Sequence, residues 1–280
     1  IQLRIVDKGM AYLDLIRNPK YGYGKNMNPC IDCRIYMFNI AERVMEEEGA
    51  HFIITGEVLG QRPMSQHRDA MDIIDRDSAT EGLVLRPLSA KYHAPTLPER
   101  EGWVDREKLL DITGRGRSEQ LKWAESLQLK AYTPPGGGCL LTDVNFSDRL
   151  RHFFERNPSP SMTEVKLLRY GRYFDLSDGS ALVVGRDAEE NDQLQKISEA
   201  DVREGKLTLL RPYFTGPLAV RLGGSPGQEG ILSEAAALIA KYAKKGIIDD
   251  QIIEVKTGGH ATHITVSFPQ AAQAEVLPVL

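Results

Sequence analysis

Three cysteines, Cys30, Cys33 and Cys139, are the side chains of this 280-residue sequence best suited to metal or covalent sulfur chemistry. The first two stand in Asn28-Pro29-Cys30-Ile31-Asp32-Cys33. Two intervening residues allow both sulfurs onto one face of a turn, where one cation or cluster can hold them. Pro29 suits the start of a helix, because its missing N–H is not needed there. The positive end of such a helix favours the thiolate form of a nearby cysteine. Cys139 follows Thr133 to Gly138, TPPGGG, a run of proline and glycine that excludes regular structure. A third cysteine on such a loop can complete three ligands to a cubane cluster and leave one iron open to a sulfide. The spacing also serves a structural zinc site, with His51, His93 or His152 as fourth ligand, and it serves plain or redox thiols. On spacing alone, all three uses stay open.

A second group is Thr55-Gly56-Glu57, directly after the apolar run Phe52-Ile53-Ile54. Ligands of open α/β sheets gather beyond the C-terminal ends of strands, and a glycine there lets the backbone approach a nucleotide closely. Glu57 is a candidate polar catalytic helper. Lys25, Arg34, Arg62, Arg115 and Arg117 flank the cysteine and Thr-Gly-Glu segments, where an RNA backbone can be gripped. Any single one of these is more often a solvated charge. Tyr21 and Tyr23 can stack on a base or pack a loop.

The composition sets the frame for these groups. Hydrophobic residues make up 41% and charged residues 26%, the usage of a globular protein, and the length allows two cores. With a formal charge of −4, a nucleic acid must be held by a local basic patch and not by the field of the whole molecule. An odd, low cysteine count argues against a disulfide scaffold. No apolar run approaches the roughly 20 residues that span a bilayer, and no signal-peptide pattern opens the chain. The expectation is a soluble, cytoplasmic protein without a membrane partner.

The positioning elements follow from periodicity. Residues 1–147 alternate strand-like and helix-like stretches, which predicts a parallel sheet covered by helices. QLRIV, HFIIT and GLVLRPL read as strands. Helices are predicted at 31–48, 65–75, 105–112, 118–128 and 146–156. Asn157 to Ser161, NPSPS, reads as a linker. Beyond it, VKLLRYGRYFDL and ALVVGR flank Ser177-Asp178-Gly179-Ser180 and predict a hairpin. An Asp-Gly pair is favoured where both central residues of a type I′ turn need positive φ. Strands at 207–211, 219–222, 252–256 and 263–268, with a helix at 229–245, make this second part α+β.

At NPCIDC, FIITGEVLGQRPMSQ, GWVDREKLL and GGGCLLTD the sequence resembles the PP-loop ATP-pyrophosphatases of the tRNA thiouridylase or 4-thiouridine-synthetase type. The four segments occur in the expected order between about Lys8 and Arg151. The part after Met162 resembles a small C-terminal domain attached to some members. Its LLRYGRYFDL and VVGRDAEEN are similar to a domain of RNA-associated ribosome quality-control proteins. The resemblance implies an α/β fold with an adenine nucleotide α-hydrolase-like, Rossmann-like parallel-sheet domain over residues 1–157, lacking its N-terminal part. An α+β accessory domain over 162–280 follows.

It also implies a reaction and its participants. ATP, with Mg, adenylates a base carbonyl oxygen, and sulfur displaces AMP to thiolate tRNA. In a two-cysteine branch the sulfur is a persulfide, and in a three-cysteine branch a [4Fe-4S] cluster presents it. Cys30 and Cys33 match the paired cysteines and Cys139 the distal one. Thr55 and Gly56 match the strand-end motif that faces the nucleotide. The implied partners are tRNA, a sulfur donor (sulfide or a persulfide carrier), and a second copy or another chain. The phosphate-cradling Ser-Gly-Gly-x-Asp-Ser loop does not occur in the sequence; its place is upstream of Ile1. Backbone N–H groups of that loop bind pyrophosphate, so adenylation is expected to need a segment or partner that supplies it. Two rival expectations are a cluster-dependent desulfurase of thiolated nucleobases and a non-catalytic RNA-binding module holding structural zinc.

Overall fold

The computed structural model describes residues 2–129, 138–225, 227–244 and 249–267. The chain divides into two compact units, Ile1–Thr142 and Asp143–Leu280. In the first, helix α1 (Ala11–Arg17) buries Leu13 and Ile16. Helix α2 (Cys30–Glu47) starts at the first cysteine. It stops at Gly49, whose φ of +63° a residue with a side chain rarely adopts. Strand β1 (Ile53–Ile54) leads through helix α3 (Arg68–Asp77) to strand β2 (Val84–Leu85). The two strands pair in parallel, Ile53 with Val84 and Ile54 with Leu85, as a helical crossover permits. Phe38, Ile74 and Val84 form the buried cluster between α2, α3 and this pair. Short helices α4 (Leu97–Arg100) and α5 (Ser118–Ser126) complete the unit.

The predicted parallel sheet is therefore realised among the described residues as one two-stranded pair, without a large Rossmann-like sheet. The QLRIV segment forms no ladder; Leu3 and Ile5 are exposed, and Arg4 bonds to Glu47 and Glu48. A strand needs a partner for its backbone groups, and among the described residues QLRIV has none. The helix predicted at 105–112 shrinks to one 3-10 turn, Arg106–Lys108. Leu110 and Ile112 instead donate backbone hydrogen bonds to Pro87 and Leu88, at 2.9 Å each, extending the chain beside the exit of β2.

The second unit opens with helix α6 (Val144–Arg156), so NPSPS lies inside this unit and not at its border. Helix α7 (Met162–Leu167) follows, its start fixed by the reciprocal Ser161–Glu164 capping box. Then come strands β3 (Arg172–Asp175) and β4 (Ala181–Val184), helix α8 (Ala188–Arg203), strands β5 (Thr208–Pro212) and β6 (Ala219–Leu222), helix α9 (Glu229–Lys241), and strands β7 (Gln251–Thr257) and β8 (His260–Val266). The six strands form one antiparallel sheet in the order β3-β4-β6-β5-β7-β8. Phe174, Leu182, Val184, Leu210, Ile253 and Val255 bury one side of it against Leu232, Ala235 and Ile239 of α9.

The β3–β4 turn differs from the type I′ expectation. Gly179 has φ of +85°, whereas Asp178 has no positive φ. Leu176 N donates to Ser180 O at 2.8 Å and Gly179 N to Leu176 O at 2.9 Å. This is a longer hairpin loop with a left-handed glycine closing it. Asp178 serves instead as an acceptor, bonding Ser180 N at 2.9 Å and the buried Arg221 at 2.5 Å. No helix among the described residues is long and apolar enough to cross a membrane.

Candidate functional site

The cysteine site is built from the first turn of α2. Cys33 N donates to Pro29 O at 2.8 Å, which places Cys30 and Cys33 one turn apart. Between them Asp32 points inward, only 7% exposed. Its two oxygens accept from Lys20 N at 2.8 Å and Tyr21 N at 3.1 Å, so it anchors the Tyr-Gly-Tyr-Gly loop to the helix. Tyr21 and Tyr23 serve this loop: the Tyr21 hydroxyl bonds Asp77, and the Tyr23 hydroxyl bonds Ile16 O at 2.7 Å.

Cys139 arrives from far along the chain by backbone docking. Met27 N donates to Leu141 O at 3.2 Å, and Asn26 Nδ2 donates to Thr142 O at 2.8 Å. Thr142 in turn donates from N (2.8 Å) and Oγ1 (2.6 Å) to Cys139 O. The segment carrying Cys139 is thus held on the loop that precedes Cys30. Residues 133–137 of the proline-glycine run lie outside the described residues.

Two side chains not singled out by the sequence reading complete the site. Tyr12 Oη lies 3.3 Å from Cys33 Sγ, and Lys8 Nζ donates to the same sulfur at 3.6 Å while sitting 4.1 Å over the Tyr12 ring. Burial, the hydrogen bond with Cys33, and the charges of Cys33, Cys139 and Cys30 hold the Tyr12 phenol well above its ordinary pKa. Cys33 is the sulfur that meets this hydroxyl. No sequence spacing ties Tyr12 or Lys8 to the cysteines; the only signal was an apolar helix, YLDLIR, upstream of them.

At Cys30 burial pushes the thiol pKa up, and the hydrogen bond from Asn28 only partly opposes it. The thiolate expected from the helix start is therefore not favoured at this sulfur. All three cysteines are free thiols. Among the described residues no group of three His, Cys, Asp or Glu is placed to hold a metal ion. Of the candidate histidine ligands, His51 packs on Trp103 at 5.5 Å between ring centroids, His93 sits against Arg68, and His152 bonds Asp175 at 2.7 Å in the second unit.

The strand-end group is tied into the fold through Glu57. Glu57 is 4% exposed, with Arg34 Nε 3.1 Å from one oxygen and Arg86 Nε 3.1 Å from the other. Arg86 also makes a two-pronged pair with Asp75 at 2.6 and 2.8 Å. Glu57 thus links α2, β2 and α3, and Arg34 turns inward to it instead of outward to a phosphate. Thr55 Oγ1 accepts from Glu57 N at 3.2 Å. A methyl group at Gly56 would meet nothing within 4 Å, so the space beyond β1 is open. Lys25, Arg62 and Arg115 are exposed, and Arg117 is half-buried. The Gly114-Arg115-Gly116-Arg117 loop is docked near the strand end, Gly114 N donating to Leu59 O at 2.8 Å. A side chain at Gly60 would press on the Gly114 backbone at 3.3 Å.

Residues 9–93 match the family model described as thiamine biosynthesis protein (ThiI), a span holding Cys30, Cys33 and Thr55 to Glu57 but not Cys139. Residues 171–277 match the family model described as the NFACT protein RNA binding domain. No curated protein gave a match. Among solved structures, the C-terminal part of the fibronectin/fibrinogen-binding protein of Streptococcus suis is similar at 11% identity. That match covers 88% of this chain and 89% of the other, with a TM-score of 0.29.

Proposed function

We propose that this protein handles sulfur for tRNA thiolation, with Cys30, Cys33 and Cys139 as its sulfur-bearing groups and the second unit as an RNA-binding part. One observation carries the reading. A pair of thiols one helical turn apart lies inside the span that matches the thiamine biosynthesis family, and a third thiol from a distant segment is docked beside it. The match of residues 171–277 to an RNA binding domain supports RNA as the acceptor.

The finer reading is ATP-dependent sulfur transfer through a [4Fe-4S] cluster. The donor set suits such a cluster in kind, because all three cysteines are free and the segment carrying Cys139 is docked on the loop before Cys30. It does not suit it in spacing as arranged here, since no three ligands are placed around one ion among the described residues. Cys30, Cys33 and Cys139 would hold the cluster, which when bound would supply an iron open to sulfide. The chain's own part is to position the sulfurs: Asp32 fixes the turn, Asn26 and Met27 hold the Cys139 segment, and Lys8 and Tyr12 hydrogen-bond Cys33. ATP with Mg would lie beyond β1 at Thr55 and Gly56, with the phosphate loop supplied by a further segment, a second copy or a partner chain. Exposed Lys25, Arg62 and Arg115, with Arg117, would meet the tRNA phosphates.

The two side chains on the Cys33 sulfur, Lys8 and Tyr12, favour a second reading in which that thiol itself carries the sulfur. A persulfide on Cys33, held by Lys8 and Tyr12, would attack the adenylated base carbon, and AMP would leave with the base oxygen. A second thiol would then cleave the Cys33–S–S–base bond, releasing the thiolated base as a disulfide with Cys33 forms. Anaerobic purification followed by iron and sulfide analysis separates the two. About four irons per chain, lost in Cys139→Ala, support the cluster; metal-free protein that thiolates tRNA from a persulfide donor supports the thiol route. Thiol-to-oxygen conversion of a thiolated base without ATP would show the desulfurase instead. Undiminished tRNA thiolation in the Cys30→Ser/Cys33→Ser double variant would overturn both transfer routes.

A further inference from the structure

The sheet of the second unit leaves part of the face opposite α9 open towards β7 and β8, beyond the cover of α8, and the chemistry of that part is specific. On β5, β7 and β8 the register sets Leu209 opposite Lys256 and Ala261, and Arg211 opposite Glu254 and His263. Tyr213 continues the row, its N donating to Ile252 O at 3.0 Å. Directly opposed residues share a face, and alternate residues along each strand repeat it. The other face, with Leu210, Ile253 and Val255, is buried against α9. On the open part, Tyr213 is 62% exposed and Ile252 46%. Tyr213 stacks on His263 with centroids 5.8 Å apart and planes 23° off parallel, and Tyr213 Oη lies 3.3 Å from His263 Nε2. An aromatic pair preorganised in the open presents a flat apolar surface without burying it.

Charge accompanies the rings. A groove of about 290 Å³ runs between the end of α8 and this face, lined among others by Arg203, Arg211, Lys256 and His260. Lys256 is paired with Glu254 at 3.0 Å, which neutralises the one carboxylate in the central row. Glu199 on α8 is the acidic residue that lines the groove. Arg211 makes no hydrogen bond or ion pair among the described residues and stands between the groove and the stacked rings. In a protein of net charge −4, cations gathered beside an exposed aromatic pair are a local feature and not a general field.

We propose that this face binds single-stranded RNA, one unpaired base stacking on the Tyr213–His263 pair while Arg211 and Arg203 hold the flanking phosphates. The proposal rests on the reading of the second unit as an RNA-binding part and names its surface and the form of RNA it takes. A duplex hides its base faces, so an aromatic platform selects unpaired nucleotides. The groove gives the backbone a basic track leading to that platform.

The test is fluorescence anisotropy of the full chain with a labelled oligouridine and with the matching oligouridine–oligoadenine duplex. The single strand is expected to bind more tightly than the duplex. Tyr213→Ala weakens that binding about tenfold and Tyr213→Phe leaves it within about twofold, because stacking needs the ring and not the hydroxyl. Arg211→Ala flattens the slope of log K against log salt by about 0.7, the loss of one phosphate contact on a single strand. Equal binding of strand and duplex overturns the stacking platform. Wild-type affinity in both Tyr213→Ala and Arg211→Ala overturns this face as the RNA surface while the RNA reading stands. Absence of wild-type binding to these probes and to tRNA alike removes that reading as well.

Discussion

The phenolic oxygen of Tyr12 lies 3.3 Å from the sulfur of Cys33, while Cys30, one helical turn earlier, takes its hydrogen bond from Asn28. The two cysteines of the pair are therefore not equivalent. Cys33 faces the Lys8 amine and the Tyr12 hydroxyl, whereas Cys30 is half-buried beside the Asn28 amide, with the charge of Arg34 also acting on it. Cys33 is the sulfur with two side-chain partners in hydrogen-bond reach. Hydrogen bonds to charged groups are worth about 1.5–3 kcal/mol. Tyr12→Phe is expected to lower sulfur transfer to tRNA by roughly tenfold or more without lowering the urea midpoint. Gel retardation of thiolated tRNA on a mercury matrix measures the first, and tyrosine-independent circular dichroism the second.

The placement of Cys139 depends on a side-chain amide far from it in sequence. Asn26→Gly keeps the positive φ of +56° that this position requires and removes the Nδ2 bond to Thr142 O. In the native protein a short bis-alkylating reagent is expected to bridge Cys139 to Cys30 or Cys33. Asn26→Gly should reduce the bridged fraction severalfold, read by mass spectrometry of tryptic peptides. An unchanged yield would show that the backbone bond from Met27 suffices.

Glu57 is predicted to act on stability before it acts on chemistry. Glu57→Gln leaves Arg34 without its partner and Arg86 with Asp75 alone, and breaking a buried ion pair from one side costs about 3 kcal/mol. Urea unfolding is expected to shift accordingly. A variant as stable as wild type but unable to transfer sulfur would return Glu57 to the catalytic role that its position after β1 suggested.

His93 gives a pH signature. Burial, then the charges of Arg86 and Arg68, lower its pKa from 6.5 to about 4. Above pH 6.5 the ring is neutral in both folded and unfolded chains, so it contributes no slope there. Between 6.5 and 4 the unfolded chain takes up the proton first, and stability falls as the pH falls. Urea midpoints at pH 7 and pH 5 should differ more in wild type than in His93→Gln. An identical difference in the two proteins would place the acid sensitivity elsewhere.

What the sequence revealed follows the range of the forces involved. Helix α2 and the strands on either side of α3 were readable because their apolar positions repeat locally and glycine or a cap ends them. QLRIV has the same local pattern as a strand, but a strand is completed by a neighbour, and none is paired with it among the described residues. Helix α8 escaped notice because its buried stripe is only Leu194, Ser198 and Val202, with a serine where an apolar residue would have signalled the period. The paired cysteines announced themselves by spacing. Lys8, Tyr12 and the docking of Cys139 did not, since they depend on contacts between segments with no fixed separation. Arg34 looked like an RNA contact for the same reason: its partner, Glu57, lies across the fold.

The inward aspartate between the two cysteines has a practical consequence. Asp32 ties down two backbone amides of the preceding loop, so its loss would disturb the sulfurs without removing either of them. A substitution there would mimic an active-site lesion in any activity screen while being, in origin, an architectural one. Chains that share only the two thiols and lack this anchor belong to a looser class of motif, and they are poor guides to how this one behaves.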